Sequence, residues 1–183
     1  MSTLVAPALV LASLLALAGA QKLLDPTMTV GALRALRVPA SPVAVRAGSA
    51  VELGLGVGAV VVGGPVLWSL VALSYVAFGV FVIAALRNGT KIGSCGCFGR
   101  EETPPHWSHV ALNAVLAGGS VVVAVRLSGS PLDALADEGA GAALVVALAA
   151  LALVLLRAAF VELPRTLEVS AIASRARVER ASP

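Results

Sequence analysis

Long stretches without a charged side chain alternate with short polar segments along this sequence. The first stretch precedes Lys22, and Asp25-Pro26 then ends any helix. Because the hydrocarbon core of a bilayer is about 30 Å thick, roughly 20 residues of helix are needed to cross it. The first stretch therefore predicts a membrane-spanning helix at about residues 3–21.

The second uncharged stretch, residues 53–86, is too long for a single span. Its 34 residues would form a helix of about 51 Å at 1.5 Å per residue. Gly63-Gly64-Pro65 lies near its middle and favours a tight turn. We therefore expect a hairpin of two helices, at about residues 42–62 and 66–86.

Two further uncharged stretches each fit one span. One lies between Glu102 and Arg126, and the other begins at Gly139 and reaches Arg157, whose long side chain can extend to the interface. The tail, residues 161–183, has no long apolar stretch and is predicted to be a polar, soluble or interfacial end. The five predicted spans are about residues 3–21, 42–62, 66–86, 105–125 and 139–160.

The composition agrees with a membrane protein. Hydrophobic residues make up 58% and charged residues 13% of the chain, whereas a soluble domain is roughly half apolar and about a quarter charged. This excludes a disordered chain, a nucleic-acid-binding arm and an ordinary cytosolic enzyme. Because lipid admits only helices and closed barrels, we expect an all-α polytopic transmembrane helix bundle over residues 1–160, in contact with membrane lipid and without a nucleic-acid partner.

The first stretch has a competing interpretation. Ala18-Gly19-Ala20 has the small-x-small form of a signal-peptide cleavage site. No Lys or Arg precedes the apolar region, however, although a signal peptide normally begins with positive charge. The sequence therefore favours a retained first helix.

The segment between the first two spans is predicted to lie on the membrane surface as a short amphipathic helix. Val30, Leu33 and Leu36 recur every three residues, and Arg34 and Arg37 stand beside them.

Positive charge is distributed unevenly. Twelve of the 13 Lys and Arg residues fall on one side of the predicted bundle, and Arg126 falls on the other. Since short cytoplasmic loops carry an excess of Lys and Arg, this asymmetry predicts a multi-pass protein of the cell membrane with an external N-terminus and a cytoplasmic C-terminus.

The segment between the third and fourth spans contains both cysteines of the chain, in the run Gly93-Ser94-Cys95-Gly96-Cys97-Phe98-Gly99. A disulfide between such close neighbours is strained, and strained, accessible disulfides are labile. Lys91 and Arg100 would favour the reactive thiolate. The pattern favours thiol–disulfide exchange by Cys95 and Cys97; the alternative is two small residues in a turn.

Metal binding is a second hypothesis for this region. Cys95, Cys97, His106 and His109 offer two thiolates and two imidazoles, a donor set that suits zinc. The spacing departs from common zinc patterns, whose cysteines stand two to four residues apart.

Glu52 lies inside the second predicted span, where an ionisable residue is costly and usually faces other helices. Asn113 and Tyr75, from other spans, are candidate hydrogen-bond partners. Two roles remain open: a buried polar clamp between helices, or proton transfer.

Small and aromatic residues predict two packing features. Gly54-x-Gly56-x-Gly58 has no preceding strand, so we reject a nucleotide loop and assign Gly54 and Gly58 to G-x-x-x-G helix packing. Trp68 and Trp107 lie near span ends and are expected to be interfacial anchors.

Together these patterns resemble the DoxX-like membrane proteins and the MauE methylamine-utilisation family. Ala18-Gly19-x-x-Lys22-x-x-Asp25-Pro26, with Glu52 before a Gly-rich second span, is similar to DoxX-like proteins. The run Ser94-Cys95-Gly96-Cys97-Phe98-Gly99, with Asn113 in the next helix, is similar to MauE. The resemblance covers roughly residues 3–125 and implies a four-helix core to which a C-terminal span is added.

The resemblance implies a redox-associated membrane protein. MauE proteins are implicated in processing, transport or maturation of the disulfide-rich small subunit of methylamine dehydrogenase, alongside a thioredoxin-like partner. In this chain the implied catalytic residues are Cys95 and Cys97. The implied supporting residues are Gly96, Phe98, Gly99, Glu52, Lys22 and Asn113.

We therefore predict a membrane thiol–disulfide redox component that assists the maturation of an exported protein. One dithiol is not a complete relay, so a quinone or a partner dithiol, such as that of a thioredoxin-like protein, must supply or accept electrons. The alternative is a non-enzymatic transporter or assembly scaffold in which the cysteines are structural.

Overall fold

The computed structural model describes residues 4–87 and 105–181, and it describes side chains as far as Phe160 and at Glu162 and Thr166. This part of the chain consists of helices and turns, without a strand. The helices are α1 (Val5–Leu24), α2 (Thr27–Ala35), α3 (Pro42–Val61), α4 (Pro65–Arg87), α5 (Trp107–Arg126), α6 (Pro131–Ala136) and α7 (Ala142–Ala181).

Five of these helices are long and apolar enough to cross a membrane: α1, α3, α4, α5 and the first part of α7, with the fifth candidate span at Gly139–Phe160. The prediction of an all-α bundle of five spans is confirmed. The span boundaries agree with those expected from the uncharged stretches to within a few residues.

Local chemistry explains where the helices start and stop. The Ser41 hydroxyl accepts a hydrogen bond from the N–H of Ala44 at 3.1 Å, and Pro42 occupies the first turn of α3, where its missing N–H costs nothing. Asp25 is extended and ends α1. Between α3 and α4, Gly63 and Gly64 have φ of 69° and 88°, a left-handed conformation that glycine adopts without a Cβ penalty.

The bundle is built from two closely packed helix pairs. α1 packs along α3, and α4 packs along α5; α1 also contacts α7, so the first helix lies at the centre of the fold. The core between the pairs includes Leu11, Leu14, Leu15, Trp68, Val71 and Val123. The structure thus places the first helix inside the bundle.

The α1–α3 contact depends on small residues, but not on the pair that the sequence indicated. A Cβ on Gly56 would come within 2.5 Å of the Ala12 carbonyl oxygen, and one on Gly19 would come within 2.7 Å of backbone atoms of α3. A Cβ on Gly54 would meet nothing within 4 Å, and one on Gly58 would be 3.7 Å from Leu67. The assignment of Gly54 and Gly58 was therefore wrong, because the face of α3 that contacts α1 passes through Gly56.

Trp68 is also placed differently from expectation. It is fully buried in the core, whereas we expected an anchor at the membrane interface. Trp68 is buried because it lies on the same face of α4 as Val71, Tyr75 and Val82, which are also buried. Trp107, by contrast, is exposed at the first position of α5.

The polar tail is helical. α7 continues past the end of the fifth candidate span to Ala181, through Pro164. The tail lacks apolar stretches but is rich in Ala, Leu, Glu and Arg, which are strong helix formers, so its polarity did not exclude a helix. The short amphipathic segment is also a helix: α2 begins at Thr27, and its Val30 is buried against the bundle.

The close approach of α1 and α3 gives a testable prediction. Gly56→Ala should destabilise the protein by about 1–3 kcal/mol, since the added methyl group overlaps the α1 backbone. Gly54→Ala, on the same helix but facing open space, should be neutral or stabilising by about 0.5–1 kcal/mol. Unfolding of the purified variants in mixed micelles compares the two; equal stabilities would contradict the packing described here.

Candidate functional site

A buried ion pair lies between the two most closely packed helices. Lys22, in the last turn of α1, contacts the carboxylate of Glu52 in the middle of α3. Their side chains are 5% and 19% exposed. Because an unpaired charge is costly at membrane depth, each residue makes the burial of the other tolerable. Lys22 also lies at the negative end of the α1 dipole, which favours a cation.

The Lys22 side chain also contacts an aromatic residue of α4. The Lys22 Nζ lies 4.4 Å from the centroid of the Phe78 ring, in cation–π geometry. Tyr75 packs edge-on against Phe78 at 6.3 Å and donates a hydrogen bond of 2.7 Å from its hydroxyl to the Leu11 carbonyl. Lys22 therefore connects α1 to both α3 and α4.

Two cavities meet at Lys22. The larger, about 310 Å³, lies between α3 and α4 and is lined by Glu52 and Phe81, with Leu33 of α2 at one wall. The smaller, about 20 Å³, lies on the side of α5 and α7 and is lined by Asn113 and Phe160. Lys22 and Phe78 line both cavities. Three of the residues predicted from the sequence, Lys22, Glu52 and Asn113, thus lie around one region of the bundle.

The expected partners of Glu52 are engaged elsewhere. Tyr75 donates to the Leu11 carbonyl, and Asn113 donates to the His109 carbonyl at 2.8 Å. Lys22 is the partner that the structure places at the carboxylate instead. The expectation failed because Lys22 was treated as a charge at the end of its span, whereas its long side chain extends back into the bundle.

The side chains of two histidines cap the N-terminus of α5. The His106 ring accepts a hydrogen bond from the Ser108 N–H at 3.1 Å, and the Nδ1 atom of His109 accepts one from the His106 N–H at 3.2 Å. This reciprocal arrangement satisfies N–H groups that have no partner inside the helix.

His109 also joins α5 to α7. Its ring is 2% exposed, and its Nε2 atom lies 2.9 Å from the Phe160 carbonyl oxygen. Since Nδ1 is an acceptor, Nε2 carries the proton and donates. Within α7 the Phe160 carbonyl would normally accept from residue 164, but Pro164 has no N–H. His109 therefore supplies the donor that proline removes.

This arrangement bears on the metal hypothesis. Both ring nitrogens of His109 make hydrogen bonds to backbone groups, so a metal would have to displace one of them. Within residues 4–87 and 105–181, no group of three His, Cys, Asp or Glu side chains is placed to hold a metal ion. Cys95 and Cys97 lie outside the described residues.

The predicted dithiol segment, with Cys95, Gly96, Cys97, Phe98 and Gly99, falls within residues 88–104, which lie outside the described part of the chain. Chain connectivity nevertheless places its two attachment points. It follows α4, whose Phe81 lines the large cavity about 9 Å of helix rise before Arg87, and it precedes α5, where His109 is buried.

Sequence reasoning missed two of the aromatic residues of the site, Phe78 and Phe81. Tyr75, Phe78 and Phe81 recur every three residues on α4, a spacing that places them on neighbouring parts of one helix face. That pattern was visible in the sequence. The His109–Phe160 hydrogen bond was not, because its residues are 51 positions apart.

Comparison with protein families finds a match over the first four candidate spans. The model of the family described as methylamine utilisation protein MauE matches residues 1–126. The chain belongs to the MauE family. The matched region ends at the last residue of α5, so it contains Lys22, Glu52, Phe78 and Asn113 but neither α6 nor α7. The chain matches no curated protein and no solved structure.

Membership of the MauE family confirms the resemblance noted in the sequence. The matched residues contain four of the candidate spans, and the fifth candidate span lies C-terminal to them. The contact between His109 and Phe160 joins the two.

The ion pair gives a second prediction. Lys22→Met or Glu52→Gln alone should destabilise the bundle by about 3 kcal/mol, because each leaves its partner buried and unpaired. The double variant should recover most of that loss, since both charges are then absent. Stabilities from denaturant unfolding in micelles complete the double-mutant cycle; additive single losses would show that the two side chains do not interact.

A third prediction concerns the α5–α7 contact. His109→Leu should cost about 1–3 kcal/mol, because the buried Phe160 carbonyl loses a donor. In a Pro164→Ala background, the restored N–H can serve that carbonyl, so the same substitution should cost clearly less. The three variants and the unmodified protein are compared by thermal unfolding in nanodiscs. An identical His109→Leu loss in both backgrounds would contradict this account of Pro164.

Proposed function

We propose that this MauE-family membrane protein is a thiol–disulfide redox component that assists the maturation, processing or transport of an exported protein. Cys95 and Cys97 are the reacting residues. The observation that carries the proposal is that both cysteines of the chain fall inside the matched family region, separated by Gly96 in a segment that also contains Gly93 and Gly99.

The chemistry follows from the spacing of the thiols. A thiolate attacks a sulfur of a disulfide, a mixed disulfide forms, and the second thiol releases it. One turnover converts a disulfide to two thiols on one protein and two thiols to a disulfide on the other, with two electrons and two protons transferred. Lys91 and Arg100 support this role, because positive charge lowers the pKa of a nearby thiol and favours the thiolate.

A second redox centre completes the cycle. The proposal assigns this role to a lipid-soluble quinone or to the dithiol of a thioredoxin-like partner. The family description supports a place in methylamine utilisation. The proposal takes as substrate class the one that the sequence resemblance implied, the disulfide-rich small subunit of methylamine dehydrogenase. The proposal assigns supporting roles in the dithiol segment to Gly96, Phe98 and Gly99. Lys22 joins α1 to α3 through Glu52 and to α4 through Phe78, and Asn113 lies on α5 beside the smaller cavity.

The proposal places the protein in the cell membrane with its C-terminus in the cytoplasm. The distribution of Lys and Arg supports this orientation. The dithiol segment then lies on the cytoplasmic side, where a cytosolic electron donor can reach it.

Thiol trapping tests the proposed function. With Cys97→Ser, the remaining Cys95 should form a mixed disulfide with its partner protein, since the resolving thiol is gone; Cys95→Ser tests the opposite assignment. Both variants should insert into the membrane normally and fail to complement a deletion strain. Ser94→Ala, within the same segment, is the matched control and should retain activity. Full activity of both cysteine variants would reject the redox role and favour a scaffold or transporter.

A further inference from the structure

The large cavity beside Lys22 has the shape and position of a site for a membrane-soluble ligand. It lies between α3 and α4, two spans that contact each other far less than either contacts its own partner helix. α2 forms one wall through Thr29 and Leu33. Its volume of about 310 Å³ is at the lower end of the range for small-molecule pockets, about 300–1,000 Å³.

The polar groups of this cavity form a donor and an acceptor side by side. Lys22 provides an ammonium group and Glu52 a carboxylate, and the two side chains contact each other. Two aromatic rings, Phe78 and Phe81, contribute flat apolar surface. The remaining lining is largely aliphatic or small, so the cavity combines one polar pair with an apolar enclosure.

These features disfavour the headgroup of a phospholipid. A phosphate needs several donors with unbalanced positive charge, but Lys22, the cation that lines the cavity, is neutralised by Glu52. An acyl chain alone has no polar atom to interact with a buried ion pair, so the pair would add nothing to its binding affinity. The ligand that fits is a neutral, flat ring with polar atoms at its edge and an apolar tail.

We propose that this cavity binds the ring of a lipid-soluble quinone and of its quinol. The Lys22 ammonium donates a hydrogen bond to a quinone carbonyl, and the Glu52 carboxylate accepts one from a quinol hydroxyl. The ion pair therefore has a partner for both redox forms. Phe78 and Phe81 pack against the ring, and the tail extends into lipid between α3 and α4.

The cavity lies near the end of α4 from which the chain continues to the cysteines of the proposed dithiol. Phe81 lies six residues before Arg87, where the chain leaves α4 toward the cysteines. Reduction of quinone to quinol takes up two electrons and two protons, which is what oxidation of one dithiol to a disulfide releases. This electron-transfer role rests on the proposed function, whereas quinone binding does not.

Binding is tested with the full-length protein in phosphatidylcholine nanodiscs free of quinone, using decylubiquinone and a photoreactive azido derivative of it as probes. The azido probe should label α2, α3 or α4 residues of the cavity saturably, and decylubiquinone should compete. Gly48 lines the cavity, and a Cβ there would meet nothing within 4 Å, so Gly48→Leu is chosen to place a side chain in the cavity with room at its Cβ. This variant should weaken binding at least tenfold.

Gly54→Leu is the matched control, because Gly54 is on the same helix, faces open space and does not line the cavity. Gly54→Leu should bind decylubiquinone with the affinity of the unmodified protein. The Lys22→Met/Glu52→Gln double variant should lose affinity for both quinone and quinol at least tenfold, while its folding is checked by thermal unfolding.

Three outcomes would overturn the inference. They are absence of saturable labelling, unchanged binding in Gly48→Leu, and labelling displaced by added phosphatidylglycerol but not by decylubiquinone. The Cys95→Ser/Cys97→Ser double variant separates this site from the proposed dithiol chemistry. It should bind quinone normally, so a failure of thiol trapping leaves the quinone site standing, and a failure of quinone binding leaves thiol trapping unaffected.

Discussion

The buried contact between Lys22 and Glu52 constrains the whole bundle. On insertion scales a charged residue such as Asp at the centre of a spanning helix costs about 2.5–3.5 kcal/mol, so an unpaired Glu52 in the middle of α3 would oppose insertion. Pairing the two charges requires α1 and α3 to lie side by side in one register. Gly19, one turn before Lys22, allows the backbones to approach closely enough for that contact. The small residues and the ion pair therefore specify the same arrangement.

From this pair, further contacts extend to the other helices. Lys22 reaches the Phe78 ring of α4, and Tyr75 of the same helix hydrogen-bonds to the backbone of α1. On the far side, His109 joins α5 to α7. The residues that line the two cavities are thus held by polar contacts that bridge helices, and each contact satisfies a group that lipid could not satisfy. The same interactions that stabilise the fold also form the candidate ligand site.

The sequence predicted the spans well and the site in part. Uncharged stretches and the Gly63-Gly64 turn located the helices, because the thickness of the bilayer sets their length. Glu52 could be identified as unusual from its position alone. Lys22 could not be identified as the partner of Glu52, because a Lys near a span end usually extends toward water. The direction of the Lys22 side chain depends on packing against α3 and α4.

The remaining errors have the same physical origin. Whether Gly54 or Gly56 contacts α1, and whether Trp68 faces the core or the interface, depends on helix rotation. Hydrophobic patterns determine rotation poorly in a span that is apolar on all faces. The role of Pro164 could not be predicted either, because it involves a histidine from a different helix.

The tight turn between α3 and α4 has a mechanical consequence. The two helices are joined at Gly63-Gly64, at one end, and separated by the large cavity toward the other. α3 packs along α1, and α4 packs along α5, so each pair forms a two-helix unit. The contacts of Lys22 with Phe78 and of Tyr75 with Leu11 join the two units. The two units are joined directly by the turn at Gly63 and Gly64, so this turn is the natural axis for a rotation of α4 relative to α3. A helix of 20 residues is about 30 Å long, so a rotation of about 5° at the hinge moves the open ends by roughly 2.6 Å. By this geometry, a small angular change at the turn would alter the width of the cavity near the other end of the two helices.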